Sequence, residues 1–94
     1  MLEDAARQLE RKLASRPDLK HLRVKQRGKT ITLYSETPYG LDDHARFTSI
    51  GGARWGLSLP RHTGRWERTP FVGTMDDVLA TLTDMLGWHL APRG

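Results

Sequence analysis

The sequence predicts a two-layer α+β domain with the element order α-β-β-β-β-β-α, in which the N- and C-terminal helices cover one face of an antiparallel sheet. Apolar residues recur at helical spacing near both ends of the chain, whereas in its middle they alternate with polar residues between short glycine-containing turns. The chain has 94 residues and no cysteine. We therefore expect a single domain, residues 1–94, that is stabilised by packing rather than by disulfide bonds.

The first helix is predicted from Leu2 to Ser15. Its apolar residues fall on one stripe of the helix surface, and Pro17 prevents the helix from continuing because the residue before a proline is driven out of the helical conformation. The stripe consists of Leu2, Ala5, Ala6, Leu9 and Leu13.

The last helix is predicted to begin beside Thr74, because Thr74 and Asp77 have the spacing of a capping box in which aspartate replaces the usual glutamate. Gly87 is a suitable residue to end this helix. Beyond it, we expect Trp88 and Leu90 to fold back onto the core.

A β-hairpin is predicted around Gly28 and Lys29, since a two-residue loop with glycine first fits a type II′ turn. This loop fixes the cross-strand pairs as Arg27 with Thr30, Gln26 with Ile31, Lys25 with Thr32, Val24 with Leu33, and Arg23 with Tyr34. The apolar side chains then share one face of the hairpin. The other face carries Arg23, Lys25, Arg27 and Tyr34.

Residues 36–43 have the composition of a loop, and a second hairpin is predicted to follow over residues 44–50 and 54–59. A three-residue loop, 51–53, is favoured over Gly51-Gly52 alone because it keeps the apolar residues on one face. The resulting pairs are Phe47 with Leu57, Ala45 with Leu59, and Ser49 with Trp55. The opposite face then carries His44, Arg46, Thr48 and Ile50 on one strand, and Arg54, Gly56 and Ser58 on the other.

A short fifth strand is predicted from Arg65 to Arg68, with Thr69 and Pro70 ending it. The face on which Trp66 lies depends on the loop before it. A loop of residues 61–64 places Trp66 opposite Leu59 on the apolar face, whereas a loop of residues 60–64 places it opposite Ser58 on the basic face. The sequence leaves both registers open.

Basic residues are concentrated on the polar face of the predicted sheet. The chain has 15 lysines and arginines against 11 acidic residues, a formal net charge of +4 and a sequence pI near 10.0. One interpretation is a solvated surface, because a half-exposed antiparallel sheet needs polar residues on its outer face. The other is a surface for nucleic acid or another polyanion, since cations contact phosphates and aromatic rings stack on bases. Its candidate residues are Arg23, Lys25, Arg27, Arg46 and Arg54, with Tyr34 or Trp66 as the stacking platform.

The segment Arg61–Arg68 is expected at the rim of that surface. Arg61, His62 and Arg65 lie close together in sequence, and the backbone N–H groups of residues 63 and 64 can present a small anion-binding nest. The simpler interpretation is a hairpin turn with solvated cations, in which Glu67 neutralises part of the charge.

The sequence favours a binding protein over an enzyme, and we expect no cofactor. His44 follows Asp42 and Asp43, but adjacent strand residues point to opposite faces, and the four histidines lack the spacing of a metal site. An alternative function is interaction with an acidic protein or with a second copy through sheet edges and Ile50. With no signal-like segment and no apolar run of membrane-spanning length, the protein is expected in the cytoplasm, without membrane association.

Overall fold

The computed structural model describes residues 2–61 and 64–85, which form two helices and five strands in the predicted order. The five strands form one antiparallel sheet in which each strand pairs with its neighbour in sequence. The elements are α1 (Leu2–Ala14), a 3₁₀ turn (Pro17–Leu19), β1 (Arg23–Arg27), β2 (Thr30–Thr37), β3 (Gly40–Gly51), β4 (Arg54–Pro60), β5 (Trp66–Gly73) and α2 (Met75–Met85). The predicted α+β class is therefore confirmed.

The hydrophobic core lies between the helices and one face of the sheet. Helix α1 lies against β1, while α2 lies against β4 and β5. Fully buried residues from all layers meet there, including Leu9 of α1, Ile31 of β2, Phe47 of β3, Leu57 of β4 and Leu82 of α2. Burial of these apolar side chains is the main favourable contribution to folding, because the chain has no covalent cross-link.

The first hairpin has the predicted register at all five cross-strand pairs, from Arg23 opposite Tyr34 to Arg27 opposite Thr30. Gly28 has a φ of +56°, whereas no described residue other than glycine has a positive φ. A single positive φ at the first loop position is what a type II′ turn requires. Turn chemistry and alternation thus specify the same register.

The prediction that residues 36–43 form a loop is wrong. Strand β2 continues to Thr37 and β3 begins at Gly40, so that only Pro38 and Tyr39 form the connecting turn. The Thr37 hydroxyl stabilises this turn by accepting from the Tyr39 N–H at 3.2 Å and donating to the Gly40 carbonyl at 2.9 Å. Proline and glycine are needed only at the tip of this hairpin, at Pro38 and Gly40. The residues on either side of the tip pair as regular strands.

A β-bulge interrupts the pairing of β2 with β3. Leu33 lies opposite Ala45 and Tyr34 lies opposite Asp43, which leaves His44 as the extra residue. The bulge turns His44 away from the polar face on which it was predicted, and its side chain is fully buried.

The second hairpin has the predicted pairs Phe47 with Leu57 and Ser49 with Trp55. Its turn differs, since Gly51 lies opposite Arg54 and the tip is formed by residues 52 and 53. The extra residue of the predicted three-residue loop is taken up as a bulge at Ile50. The predicted and the observed turn therefore give the same pairing of the core residues on β3 and β4.

Strand β5 is longer than predicted and runs through Pro70. Proline is tolerated because β5 is an edge strand and because the pairing with β4 is irregular at this point. The Thr69 hydroxyl donates to the Leu57 carbonyl at 2.9 Å and accepts from the Phe71 N–H at 3.3 Å. This side chain thereby replaces ladder hydrogen bonds at the irregularity.

Helix α2 begins with the predicted capping box. The Thr74 hydroxyl accepts from the Asp77 N–H at 3.2 Å, and the Asp77 carboxylate accepts from the Thr74 N–H at 3.3 Å. A Cβ atom at Gly73 would lie 2.9 Å from the Asp77 Cβ, so glycine is needed for this close approach. The predicted C-cap at Gly87 and the return of Trp88 and Leu90 lie outside the described residues.

Replacing Thr74 with alanine should lower the free energy of unfolding by about 1 kcal/mol, because the Asp77 N–H loses its acceptor. Urea denaturation followed by circular dichroism measures this change. The control is Thr83→Ala, which removes a hydroxyl that donates to the Ala80 carbonyl inside the same helix. Alanine favours the helix interior, so this control should retain wild-type stability or exceed it. Equal losses in both variants would contradict the capping role.

Candidate nucleic-acid interface

The face of the sheet opposite the two helices, here called the open face, collects most of the predicted candidate residues. Alternation along each strand places every second side chain on this face. Basic side chains reach it from four strands, β1, β3, β4 and β5: Arg23, Lys25, Arg27, Arg46, Arg54 and Arg68.

One corner of the open face combines a cation, an aromatic ring and an acid. The Lys25 ammonium lies 5.3 Å from the centroid of the Tyr34 ring and 3.6 Å from the Asp43 carboxylate. Both members of the ion pair are exposed enough for solvent to screen them. Asp43 therefore neutralises only part of the charge at this corner.

Trp66 lies on the open face, which settles the alternative left by the sequence. Trp66 pairs with Pro60, so the loop consists of residues 61–65, a length that neither predicted register contains. Trp66 nevertheless lies on the basic face, because Pro60 and Ser58 are two residues apart and therefore lie on the same side of β4. The guanidinium carbon of Arg46 lies 4.2 Å from the centroid of the Trp66 ring, and the ring is half-buried. This is a cation–π contact between β3 and β5.

Arg68 is a member of the open face that the sequence analysis did not single out. It lies opposite Ser58 on β4 and is exposed. Its position two residues after Trp66 on the same strand carries the signal, because such residues share a face. That signal became usable only when the face of Trp66 was known.

The rim segment is more self-contained than predicted. The Gly64 N–H donates to the Arg61 carbonyl at 2.9 Å, so this predicted nest donor is already bonded within the turn. The Arg61 guanidinium pairs with the Glu67 carboxylate at 2.9 Å. Arg65 is exposed, and His62 lies outside the described residues.

A buried polar cluster lies on the helix side of the sheet, around the bulge at His44. The Ser35 hydroxyl and the His44 Nε2 share a hydrogen bond of 2.7 Å, and an Asp42 carboxylate oxygen lies 3.9 Å from the same nitrogen. The His21 ring meets the His44 ring edge-on, with 6.2 Å between centroids. In a Ser-His-Asp triad the acid and the nucleophile bind opposite ring nitrogens, so this cluster has a different arrangement.

This cluster was not predicted from the sequence because it depends on the bulge at His44. In a regular ladder His44 would point to the open face, where it was predicted. Ser35 is also buried, in the segment predicted as the end of the second strand. The Ser35–His44 hydrogen bond is a core interaction rather than part of the open face.

A cleft of about 580 Å³ lies on the helix side, between α1, the turn joining β3 to β4, and the start of α2. Trp55 and Met75 supply apolar walls, and Lys12 lines it from α1. Lys12 forms an ion pair with Asp76, which also lines the cleft. The cation in this cleft is therefore already compensated, whereas among the described residues of the open face only Lys25 pairs with an acid.

The fold and this surface define a small α+β domain with a basic sheet face that bears aromatic rings. The family model described as a domain of unknown function, DUF3024, matches residues 1–87, and the chain belongs to this family. Comparison with curated proteins and with solved structures gives no match.

In the part of the chain that the structure describes, no group of three or more histidine, cysteine, aspartate or glutamate side chains is arranged to hold a metal ion. None of its helices is long and apolar enough to cross a membrane.

Replacing Ser35 with alanine should lower the free energy of unfolding by about 1 to 2 kcal/mol, because a buried ring nitrogen of His44 loses a hydrogen bond. Thermal and urea denaturation measure the loss. Ser58→Ala serves as the control, since it removes the same atom from a half-buried position on the open face. A Ser35→Ala protein as stable as the control would contradict the structural role of the pair.

Proposed function

We propose that this domain binds single-stranded nucleic acid on its open face and that binding, rather than catalysis, is its function. The observation that carries the proposal is the presence of six cations and two aromatic rings on one sheet face, with both helices packed against the other. The described interactions compensate only one of these cations with an acid, at Lys25.

The combination of groups favours nucleic acid over a simpler anion. Phosphates need cations, and five of the six cations are arginines, whose planar guanidinium groups bind phosphate oxygens in pairs. Bases need flat apolar partners, which Tyr34 and Trp66 provide beside those cations. In a duplex the bases are stacked and paired, so an aromatic ring on a sheet reaches them best in single strands.

A second candidate function is contact with a protein, an acidic partner or a second copy of this chain. It is favoured by Ile50 and Val72, which are 40% and 44% exposed near the end of the open face that lies away from Trp66. Arg68 and Ile50 both approach Gly56, which places apolar and basic groups side by side. Sedimentation equilibrium detects a second copy, whereas oligonucleotide binding by a monomer favours the first proposal.

Reversing two charges on the open face, Arg46→Glu with Arg54→Glu, should abolish measurable binding of a fluorescently labelled 12-nucleotide single strand, because carboxylates would face the phosphates. Fluorescence anisotropy at low salt measures binding, and circular dichroism verifies the fold. The matched control is Arg7→Glu with Arg11→Glu, the same charge change at exposed positions of α1. Equal loss in the control would mean that net charge alone governs binding. A wild-type protein that binds no oligonucleotide would refute the proposal.

The affinity of the wild-type protein should fall linearly on a plot of log K against log salt concentration. Each phosphate neutralised on a single strand contributes about −0.7 to the slope, so about four contacts predict a slope near −3. Anisotropy titrations between about 50 and 200 mM salt, a range over which such contacts weaken strongly, measure it. A slope near zero would contradict electrostatic binding on the open face.

A further inference from the structure

The strand registers align cations from three strands in one row across the open face. Lys25 lies opposite Thr32, Thr32 opposite Arg46, Arg46 opposite Ser58, and Ser58 opposite Arg68. We call these five residues the cationic row. It runs perpendicular to the strands, with basic side chains on β1, β3 and β5 and small hydroxyl side chains between them.

A second row, one pleat further along the strands, carries the aromatic rings. Tyr34 lies two residues after Thr32 on β2, Pro60 lies two residues after Ser58 on β4, and Trp66 lies opposite Pro60 on β5. We call Tyr34, Pro60 and Trp66 the aromatic row. On β3 the bulge at His44 places Asp43 opposite Tyr34, and on β1 Arg23 lies opposite the same ring, so the aromatic row also carries one acid and one cation.

The dimensions of the two rows follow from sheet geometry. Residues two apart on a strand are about 6.8 Å apart, which sets the distance between the rows. Neighbouring strands are about 4.8 Å apart, so the cationic row spans about 19 Å from β1 to β5. Such a length fits a short segment of about four nucleotides, the lower end of the range that one small sheet-based domain occupies.

We propose that a single strand of about four nucleotides crosses the open face perpendicular to the β-strands, with its phosphates on the cationic row and its bases over the aromatic row. This inference rests on the proposed nucleic-acid function and specifies the path that the bound strand follows across the open face. A single strand has its charge on one side and its flat bases on the other, and the two rows present cations and rings side by side in the same way. A duplex hides its bases and leaves the aromatic row without a partner.

Arg46 connects the two rows. It belongs to the cationic row by register, yet its guanidinium group lies over the Trp66 ring. A base can stack on a guanidinium plane as well as on a ring, so this pair forms one platform at the β5 side of the face. Lys25 and Tyr34 form a similar but looser pair at the β1 side.

The experiment compares two pairs of substitutions that remove equal charge from the open face. Lys25→Gln with Arg68→Gln removes both ends of the cationic row, whereas Arg27→Gln with Arg54→Gln removes two exposed cations outside it. The probes are an eight-nucleotide thymidine DNA, an eight-nucleotide uridine RNA and a DNA hairpin duplex of the same charge. Anisotropy titrations at several salt concentrations give affinities and slopes.

The row variant should bind each single strand at least tenfold more weakly than the wild type and should reduce the magnitude of the salt slope by about 1.4, the value for two lost phosphate contacts. The comparison pair should lose clearly less affinity than the row variant, because its two cations lie on the open face but outside the row. If both pairs lose equally, the row is refuted while the proposed function stands. If the hairpin binds as well as the single strands, the row and the preference for single strands are both refuted. If the wild type binds none of the probes, both fail.

Trp66→Leu tests the aromatic row separately, with inorganic polyphosphate of eight phosphates as a probe that has charge but no bases. The affinity for the thymidine strand should fall about tenfold, while the affinity for polyphosphate should not change. Trp66→Phe should restore most of the lost affinity because it restores a ring. Equal weakening for both probes would mean that Trp66 acts only by placing Arg46, and this result would refute base stacking on the row.

Discussion

The alternation of side chains across the five-stranded sheet is the constraint on which the rest of the structure depends. Each strand presents apolar residues to the two helices and polar residues to the other side, so a slip of one residue in any pairing would exchange the two sets. Fully buried Phe47 and Leu57 face each other on β3 and β4. The energy of burying such residues fixes the register, and the register in turn fixes which cations become neighbours on the open face. Core packing and the surface pattern are therefore two results of one pairing scheme.

The bulges of the sheet place several side chains on a face that regular alternation alone would not give them. The bulge at His44 brings a polar ring into the core, where its Nε2 shares a hydrogen bond with Ser35, and returns Asp43 to the open face beside Lys25. The irregularity opposite Leu57 accommodates Pro70 while Trp66 and Arg68 keep the same face as Ser58. Because bulges bend and twist a strand, they also shape the surface that the open face presents.

The sequence was sufficient where local turn chemistry and hydrophobic pattern agreed. The Gly28-Lys29 turn and the alternation on both sides of it independently specify one register, and the structure has it at every pair. The capping box of α2 was predictable for the same reason, since it involves residues only three apart. Residues 36–43 were misread because proline, glycine and aspartate are equally typical of a loop and of the exposed end of a hairpin. The bulge at His44 and the loop before Trp66 depend on contacts between distant segments. The length of that loop decides the face of Trp66, and Arg68 could not be assigned to the candidate site without it.

The position of Pro70 on the outermost strand has a consequence for how the sheet ends. An edge strand is a template for further strands, and sheets that grow from both edges build fibres. Pro70 has no N–H group to offer an added strand, and the irregularity beside it bends the ladder at that point. Growth is thereby opposed at β5, the edge that also carries Trp66. If a second copy of the chain added to the sheet through the β1 edges, growth would stop at a dimer. The two β5 edges, each carrying Pro70, would then be the outer edges of the combined sheet.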